Sequence, residues 1–373
     1  MKIKKLMIFL LLTTFSFSFS FVAACNFGVG DSISEESGLE NDQDSGEDIT
    51  NNDDENFDSE DEIWVDEKPN DDGNSSTDEG EDAEEDDAQT KVYQIYDYYD
   101  LNQLSENIKS AENVVVELKN DIDCNYHSVN TIGDYNNPFS GEFNGNGFTI
   151  SNIYFDSQSA LKANNNTLSG MFGIVENANI HNITFENCMF DLQGNNIVAG
   201  LICKSNGGTS IENISICNGS YNIIGENITF GGIVAEDLIT STDKRINLAF
   251  EGNMITIESN GGSLFFGTCF GKGNYNYGEI SNLIISDNMI FIYDYNYGNL
   301  NIGFLIGKLQ SEIDKELLIN VVYVNNNLFE VEDLASSNIS RYIGNVEGIK
   351  KSQIHLNQVT YLDNYFYYNS IDL

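Results

Sequence analysis

Three histidines, His127, His181 and His355, are the whole stock of imidazole in this chain, and none sits in an HExxH metal motif. A nucleophile elbow of the G-x-S-x-G type is also missing. Apart from Cys25 there are five cysteines: Cys124, Cys188, Cys203, Cys217 and Cys269. An odd number without a CxxC pair argues against zinc and against a dense disulfide framework. Buried free thiols are the expectation, with a Cys188–Cys217 bridge as the alternative. Asn144-Gly145-Asn146-Gly147 resembles a phosphate loop only superficially, because no helix follows it, and it reads as a turn. Neither a metal nor a cofactor is expected.

Carboxylates are the one abundant reactive group, 59 Asp and Glu against 17 Lys and Arg, for a net charge of −42. A basic footprint for nucleic acid is absent. Two carboxylates flanking a glycosidic bond can hydrolyse it, and an inverting pair stands about 6.5 to 9.5 Å apart. Through the repeat set out below, Glu186, Cys217, Glu251, Ser286, Asn325 and Leu362 fall in one outward column. Glu186 and Glu251 would be two rungs apart, about 9.6 Å. No Lys or Arg column lies beside them to hold an anionic sugar, and the chain is not expected to be an enzyme.

Aromatic side chains supply the other candidate chemistry, contact with sugar rings or with a protein. Phe291, Tyr293, Tyr295 and Tyr297 alternate with Ile290 and Ile292, so they should share an outer face. Tyr365 and Tyr367 have the same phase near the end. The opposing expectation is a strand face covered by the long insertions of its own coils.

What must position these groups is an internal repeat. Ile150-x-x-Ile153-x-Phe155 recurs at Ile180/Ile183/Phe185, Ile211/Ile214/Ile216, Arg245/Leu248/Phe250, Ile280/Leu283/Ile285, Ile319/Val322/Val324 and Leu356/Val359/Tyr361. The middle residues lie 30, 31, 34, 35, 39 and 37 positions apart. From the second copy on, a turn-former follows four positions later: Asn187, Asn218, Gly252, Asp287, Asn326 and Asp363. A second apolar pair comes next, from Phe190/Leu192 to Phe366/Tyr368, and each copy opens with Gly in an apolar run such as SGMFGIV or VAGLICK. Two short strands joined by a one-residue corner, repeated at this interval, make the coil of a solenoid. Asn, Gly and Asp suit the corner because they tolerate left-handed backbone. The fold expected is all-β, a right-handed parallel β-helix over residues 138–373.

Residues 1–24 read as an export signal: Lys2, Lys4 and Lys5, an apolar core from Leu6 to Phe21, then Val22-Ala23-Ala24-Cys25. The last four resemble a bacterial lipobox, in which the Cys is lipidated, so Cys25 would anchor the chain to the extracytoplasmic face of the cell membrane. Residues 25–90 form an acidic linker, and residues 31–87 hold 27 Asp or Glu against Lys68 alone. Such composition cannot repay the entropy of folding and is expected to stay disordered, spanning about 45 Å. Specific calcium binding there is not expected, since EF-hand spacing is missing. Residues 91–137 should cap the solenoid, with a strand running from Val92 to Tyr99, a helix capped by Asp100, and a strand at Val114–Leu118. The sequons at Asn182, Asn213 and Asn227 read as outward asparagines of the repeat.

The series Val116–Cys124 (VELKNDIDC), Thr131-Ile132-Gly133 and Phe139–Ile150 (FSGEFNGNGFTI) resembles the opening segment of the bacterial GLUG-motif β-helix proteins. Ser169–Gly173, SGMFG, is similar to the GLUG signature itself. Asn144 stands where that family usually has Asp, and Phe148 where it has His. The likeness covers roughly residues 95 to 300. It includes adhesin-like surface proteins and the non-catalytic region of immunoglobulin A proteases, and implies an exported display scaffold without naming a ligand. The function expected is a lipid-anchored surface protein that binds or adheres to a glycan or to a protein of a host or neighbouring cell. A structural envelope component, or a polysaccharide-active β-helix enzyme, are the alternatives. Fatty-acid label should enter the wild-type chain, and Cys25→Ala should abolish both labelling and recovery in the membrane fraction; a membrane-bound variant would sink the anchor.

Overall fold

The computed structural model describes residues 90–108, 114–276, 279–296, 298–311, 317–333, 338–340, 342–347 and 354–370. The signal segment, Cys25, the acidic stretch to residue 89 and Tyr297 lie outside them. The described residues form a parallel β-helix of three sheets, with 11, 12 and 6 strands among them. One coil shows the plan. Asn179–Glu186 lies in the first sheet, Met189–Ala199 in the second and Ile202–Ser205 in the third. The next coil begins at Ser210.

Register follows the repeat. Ile183 pairs with Ile214, Ile214 with Leu248, Leu248 with Leu283, and Leu283 with Val322. Phe185, Ile216, Phe250, Ile285 and Val324 stack beside them, and every member of both columns is buried. The second pair behaves likewise: Leu192, Ile223, Ile257, Ile292 and Val331 form one buried column of the second sheet. Asn187, Asn218, Gly252, Asp287, Asn326 and Asp363 all adopt φ between 47° and 65°, so the corner turns on one left-handed residue. Next to it, Asn253, Asn288, Asn327 and Asn364 stack as an amide ladder. Asn253 Nδ2 donates to Asn288 Oδ1 at 3.1 Å, Asn288 to Asn327 at 2.9 Å and Asn327 to Asn364 at 2.7 Å.

The glycine-opened runs make the turn into the third sheet. A Cβ at Gly170 would overlap the Gly200 carbonyl oxygen, and one at Gly200 the Gly231 oxygen. Successive backbones therefore come too close there for any side chain.

Five expectations are corrected. The first copy of the repeat is out of step: Ile150 pairs with Phe185 and Phe155 with Phe190, while Phe143 occupies the place opposite Ile180. The cause is a local look-alike. Asn152 (φ 56°) and Asn182 (φ 57°) are both left-handed, each with an apolar residue two before and one and three after, but they turn different corners of the coil. Asn182 is accordingly no plain outward residue. Asn282, Asn247, Asn213 and Asn182 share φ of 55–57° and form a second ladder, with Nδ2–Oδ1 distances of 2.8, 2.7 and 2.8 Å. That kink lets Ile180 and Ile183, three apart, both face inward.

At the N-terminal end the helix is Tyr98–Asn107, and its cap is Asp97, whose carboxylate accepts from the Tyr99 and Asp100 amides. Tyr98 and Tyr99 belong to the helix, and the strand before it stops at Ile95. That strand lies parallel to Val114–Leu118 at one edge of the first sheet, and Leu101 and Leu104 join the main core. Ser215, expected outward and exposed, is buried, and its hydroxyl has no hydrogen-bond partner.

Arg245, at the inward Ile180 position, is fully buried. Its guanidinium grips Asp237 through Nη2 at 2.6 Å and Nε at 3.1 Å, and Nη1 donates to the Thr209 and Lys244 carbonyls. The fork thus crosses the core from the first sheet to the third.

Ile214→Ala should cost about 2 to 5 kcal/mol, because stacked neighbours cannot collapse into the cavity. Ser215→Ala should instead be neutral or gain up to about 1 kcal/mol by removing an unpaired buried hydroxyl. Chemical denaturation of the two variants tests the phase; a comparable loss at Ser215 would contradict it.

Candidate ligand-binding face

The outer side of the second sheet positions the aromatic set. Strand Met289–Asp294 directs Ile290 and Ile292 into the core, so Phe291 and Tyr293 point out and are half-buried. Tyr295 lies just past the strand and is 41 % exposed. Its ring is parallel to that of Tyr293, with centroids 6.4 Å apart and planes 7° from each other. Tyr365 and Tyr367 are 56 % and 53 % exposed. Register brings them alongside: Phe291 pairs with Glu330 and Glu330 with Tyr367, while Met289, Leu328 and Tyr365 form the neighbouring column. The long insertions therefore leave this face open at Tyr295, Tyr365 and Tyr367.

Three residues that sequence reasoning missed complete it. Glu258 and Glu332 pair with Tyr293 from the coils on either side, and Glu330, on the same strand as Glu332, lies diagonal to Tyr293. Carboxylates and aromatics thus alternate in two adjacent columns. Aligning the second apolar pairs, Ile255/Ile257 with Ile290/Ile292 and Phe329/Val331, would have placed Glu258 and Glu332 beside Tyr293. Burial pushes the Tyr293 phenol up to about 12, with Glu330, Glu332, Tyr295 and Glu258 adding to it, since a phenolate would face their negative charge. Tyr295 is raised as well, by burial and then Glu258 and Glu332.

The carboxylate column reads as expected, Glu186–Cys217–Glu251–Ser286, but buried Cys217 fills the rung between the acids. Glu251 accepts from Ser286 Oγ at 2.8 Å and Glu186 from Asn218 Nδ2 at 3.4 Å. His181 offers no free base, since Nε2 meets Glu142 at 3.0 Å and Nδ1 meets Asn182 Nδ2 at 2.8 Å.

Cys124, Cys188, Cys203, Cys217 and Cys269 are all buried, and none is in a disulfide. Cys188 and Cys217 occupy different columns, one after the corner and one before it, so they do not bridge. Burial pushes the Cys124, Cys188 and Cys269 thiols up to about 12 and raises Cys203 further, which keeps them protonated and unreactive.

Among the described residues no cluster of three His, Cys, Asp or Glu could hold a metal, and no helix is long and apolar enough to cross a membrane. Two small cavities, of about 30 and 10 Å³, have room for little more than one water. Several described cations elsewhere are spent internally. On the third sheet Lys204 and Lys272 both bind Glu236, at 2.7 and 2.9 Å, and Lys308 binds Glu347 at 2.9 Å. Glu258, Glu330 and Glu332 have no such ion pair among the described residues.

Glu330→Gln with Glu332→Gln should lower the Tyr293 pKa, so its phenol ionises at lower pH. Ultraviolet titration, read as the difference from Tyr293→Phe, checks the direction; an upward or absent shift would remove the carboxylates from its surroundings.

No protein family, curated protein or solved structure matches the chain.

Proposed function

We propose that this chain is a lipid-anchored cell-surface protein of the GLUG-motif type, which holds its β-helix out for binding or adhesion. The observation that carries the reading is the aromatic face of the second sheet, where Tyr295, Tyr365 and Tyr367 stand exposed on a rigid, regularly paired surface. Ordered aromatic rings offer large contact area at low entropic cost, which suits a flat recognition surface for a glycan or a protein. The VAAC stretch at Cys25 supports the anchor, and the acidic linker supports display at a distance from the membrane. The small cavities, the buried thiols and the internally hydrogen-bonded His181 ring favour binding over turnover.

Glycan arrays and surface-protein arrays probed with the full chain should give a specific ligand class. Tyr365→Ser with Tyr367→Ser should weaken that binding roughly tenfold, as expected when two anchoring rings are lost. Retained affinity in this variant would sink the assignment of the face.

A further inference from the structure

The aromatic face is unlike the rest of the outer surface in two respects at once. Its outward columns read Asp191, Asn222, Thr256, Phe291, Glu330, Tyr367 and Gln193, Ile224, Glu258, Tyr293, Glu332, so aromatics enter only from the coil of Phe291 onward. There, each carboxylate of one column lies next to a ring of its own or of the adjacent column. Lys272 and Lys308 show what this chemistry attracts. Both ammonium groups sit over the Phe265 ring, at 5.2 and 5.7 Å, while pairing with Glu236 and Glu347. There, lysines of the third sheet serve both a ring of the second-sheet strand Ser263–Gly267 and carboxylates of their own sheet. Around Phe291 and Tyr293, by contrast, the rings of Tyr293 and Tyr367 and the carboxylates of Glu258, Glu330 and Glu332 have no cation supplied to them among the described residues.

We propose that this face takes a basic polypeptide segment, whose Lys or Arg side chains lie over the tyrosine rings with their charges among Glu258, Glu330 and Glu332. The inference rests on the preceding reading that the face binds a ligand, and narrows it by charge complementarity. A ring quadrupole attracts a cation more strongly as water is excluded, and flanking carboxylates add a second attraction of the same sign. A neutral sugar would stack on the rings but would leave three carboxylates desolvated without compensating charge. An anionic glycan would be repelled.

The test uses the full chain and labelled oligolysine, its trimethyl-lysine counterpart and its acetyl-lysine counterpart, with anisotropy read at moderate and high salt. The acidic stretch of residues 31–87 will attract oligolysine in any version of the chain, and that background should collapse at high salt. The site itself should bind lysine and trimethyl-lysine alike and reject acetyl-lysine. Tyr293→Leu should weaken both cationic peptides roughly 3- to 30-fold, the range for one desolvated cation–π contact. Glu330→Gln with Glu332→Gln, a change confined to the surface, should weaken them by at least about tenfold. Thermal melts identify any variant that merely unfolds. Equal affinities in wild type and in the glutamine variant overturn the proposal. Binding of a neutral or amino-sugar oligomer that depends on Tyr293, with oligolysine unaffected, overturns it too, but leaves the face as a binding surface. Loss of every ligand class from the wild type would overturn both.

Discussion

Every coil must turn at the same residue, or the strands before and after it fall out of register with the coil below. That constraint falls on the corner column. Six successive corners are left-handed and carry only Asn, Asp or Gly, since a Cβ-branched side chain there would strain the backbone. Because side-chain direction alternates along a strand, a slip of one residue at one corner would expose Ile214 and bury Ser220-type positions throughout the sheet. The inward columns are apolar because register holds, and register holds because the corners are fixed. Where the core does take a charge, at Arg245, the columns still keep register. Its guanidinium is met by Asp237 from another sheet, as a buried charge requires.

Asparagine serves this constraint twice, since it tolerates the left-handed turn and its amide both donates and accepts. Asn282, Asn247 and Asn213 each donate to the asparagine one rung back, and Asn182 passes the direction on to its neighbour His181 at Nδ1 and thence to Glu142. A chain of bonds all pointing one way polarises cooperatively. The other ladder, Asn253 to Asn364, runs beside the corner where Asn253, Asn288 and Asn327 are buried and an unpaired amide would be costly. In the earlier coils that column holds Cys188 and Gly219, small groups that need no ladder.

Most of this architecture was legible because it repeats. Apolar pairs, corners and glycine runs each recur at matched intervals, and a residue's column follows from counting. Counting failed where two different turns wear one pattern. Ile150-Ser-Asn152-Ile153 and Ile180-His-Asn182-Ile183 are alike locally, and only pairing partners tell them apart. It failed again at the helix, where Asp97 and Asp100 are both fit to cap and tertiary packing of Leu101 and Leu104 decides between them. Ser215 departs from its expected exposure because an outward position can still be buried, here in the column between Thr184 and Ala249. The candidate face was half legible: its rings follow from alternation along one strand, but Glu258, Glu330 and Glu332 reach them from other coils.

The same logic says where recognition can reside. Inward and corner columns are held nearly constant by packing and backbone geometry, so they carry almost no information about a ligand. Outward columns are free to vary, and on the second sheet the two columns through Phe291 and Tyr293 change there from non-aromatic residues to alternating rings and carboxylates. The face lies on the outer side of a sheet, so a ligand there would gain affinity from area and charge rather than from enclosure. Order helps it there. Tyr293 is already half-buried and stacked parallel to Tyr295, so little rotamer freedom remains for a ligand to quench. A rigid, flat, negatively charged aromatic surface is complementary to an extended partner that brings its own positive charge, and poorly suited to one that must be enclosed.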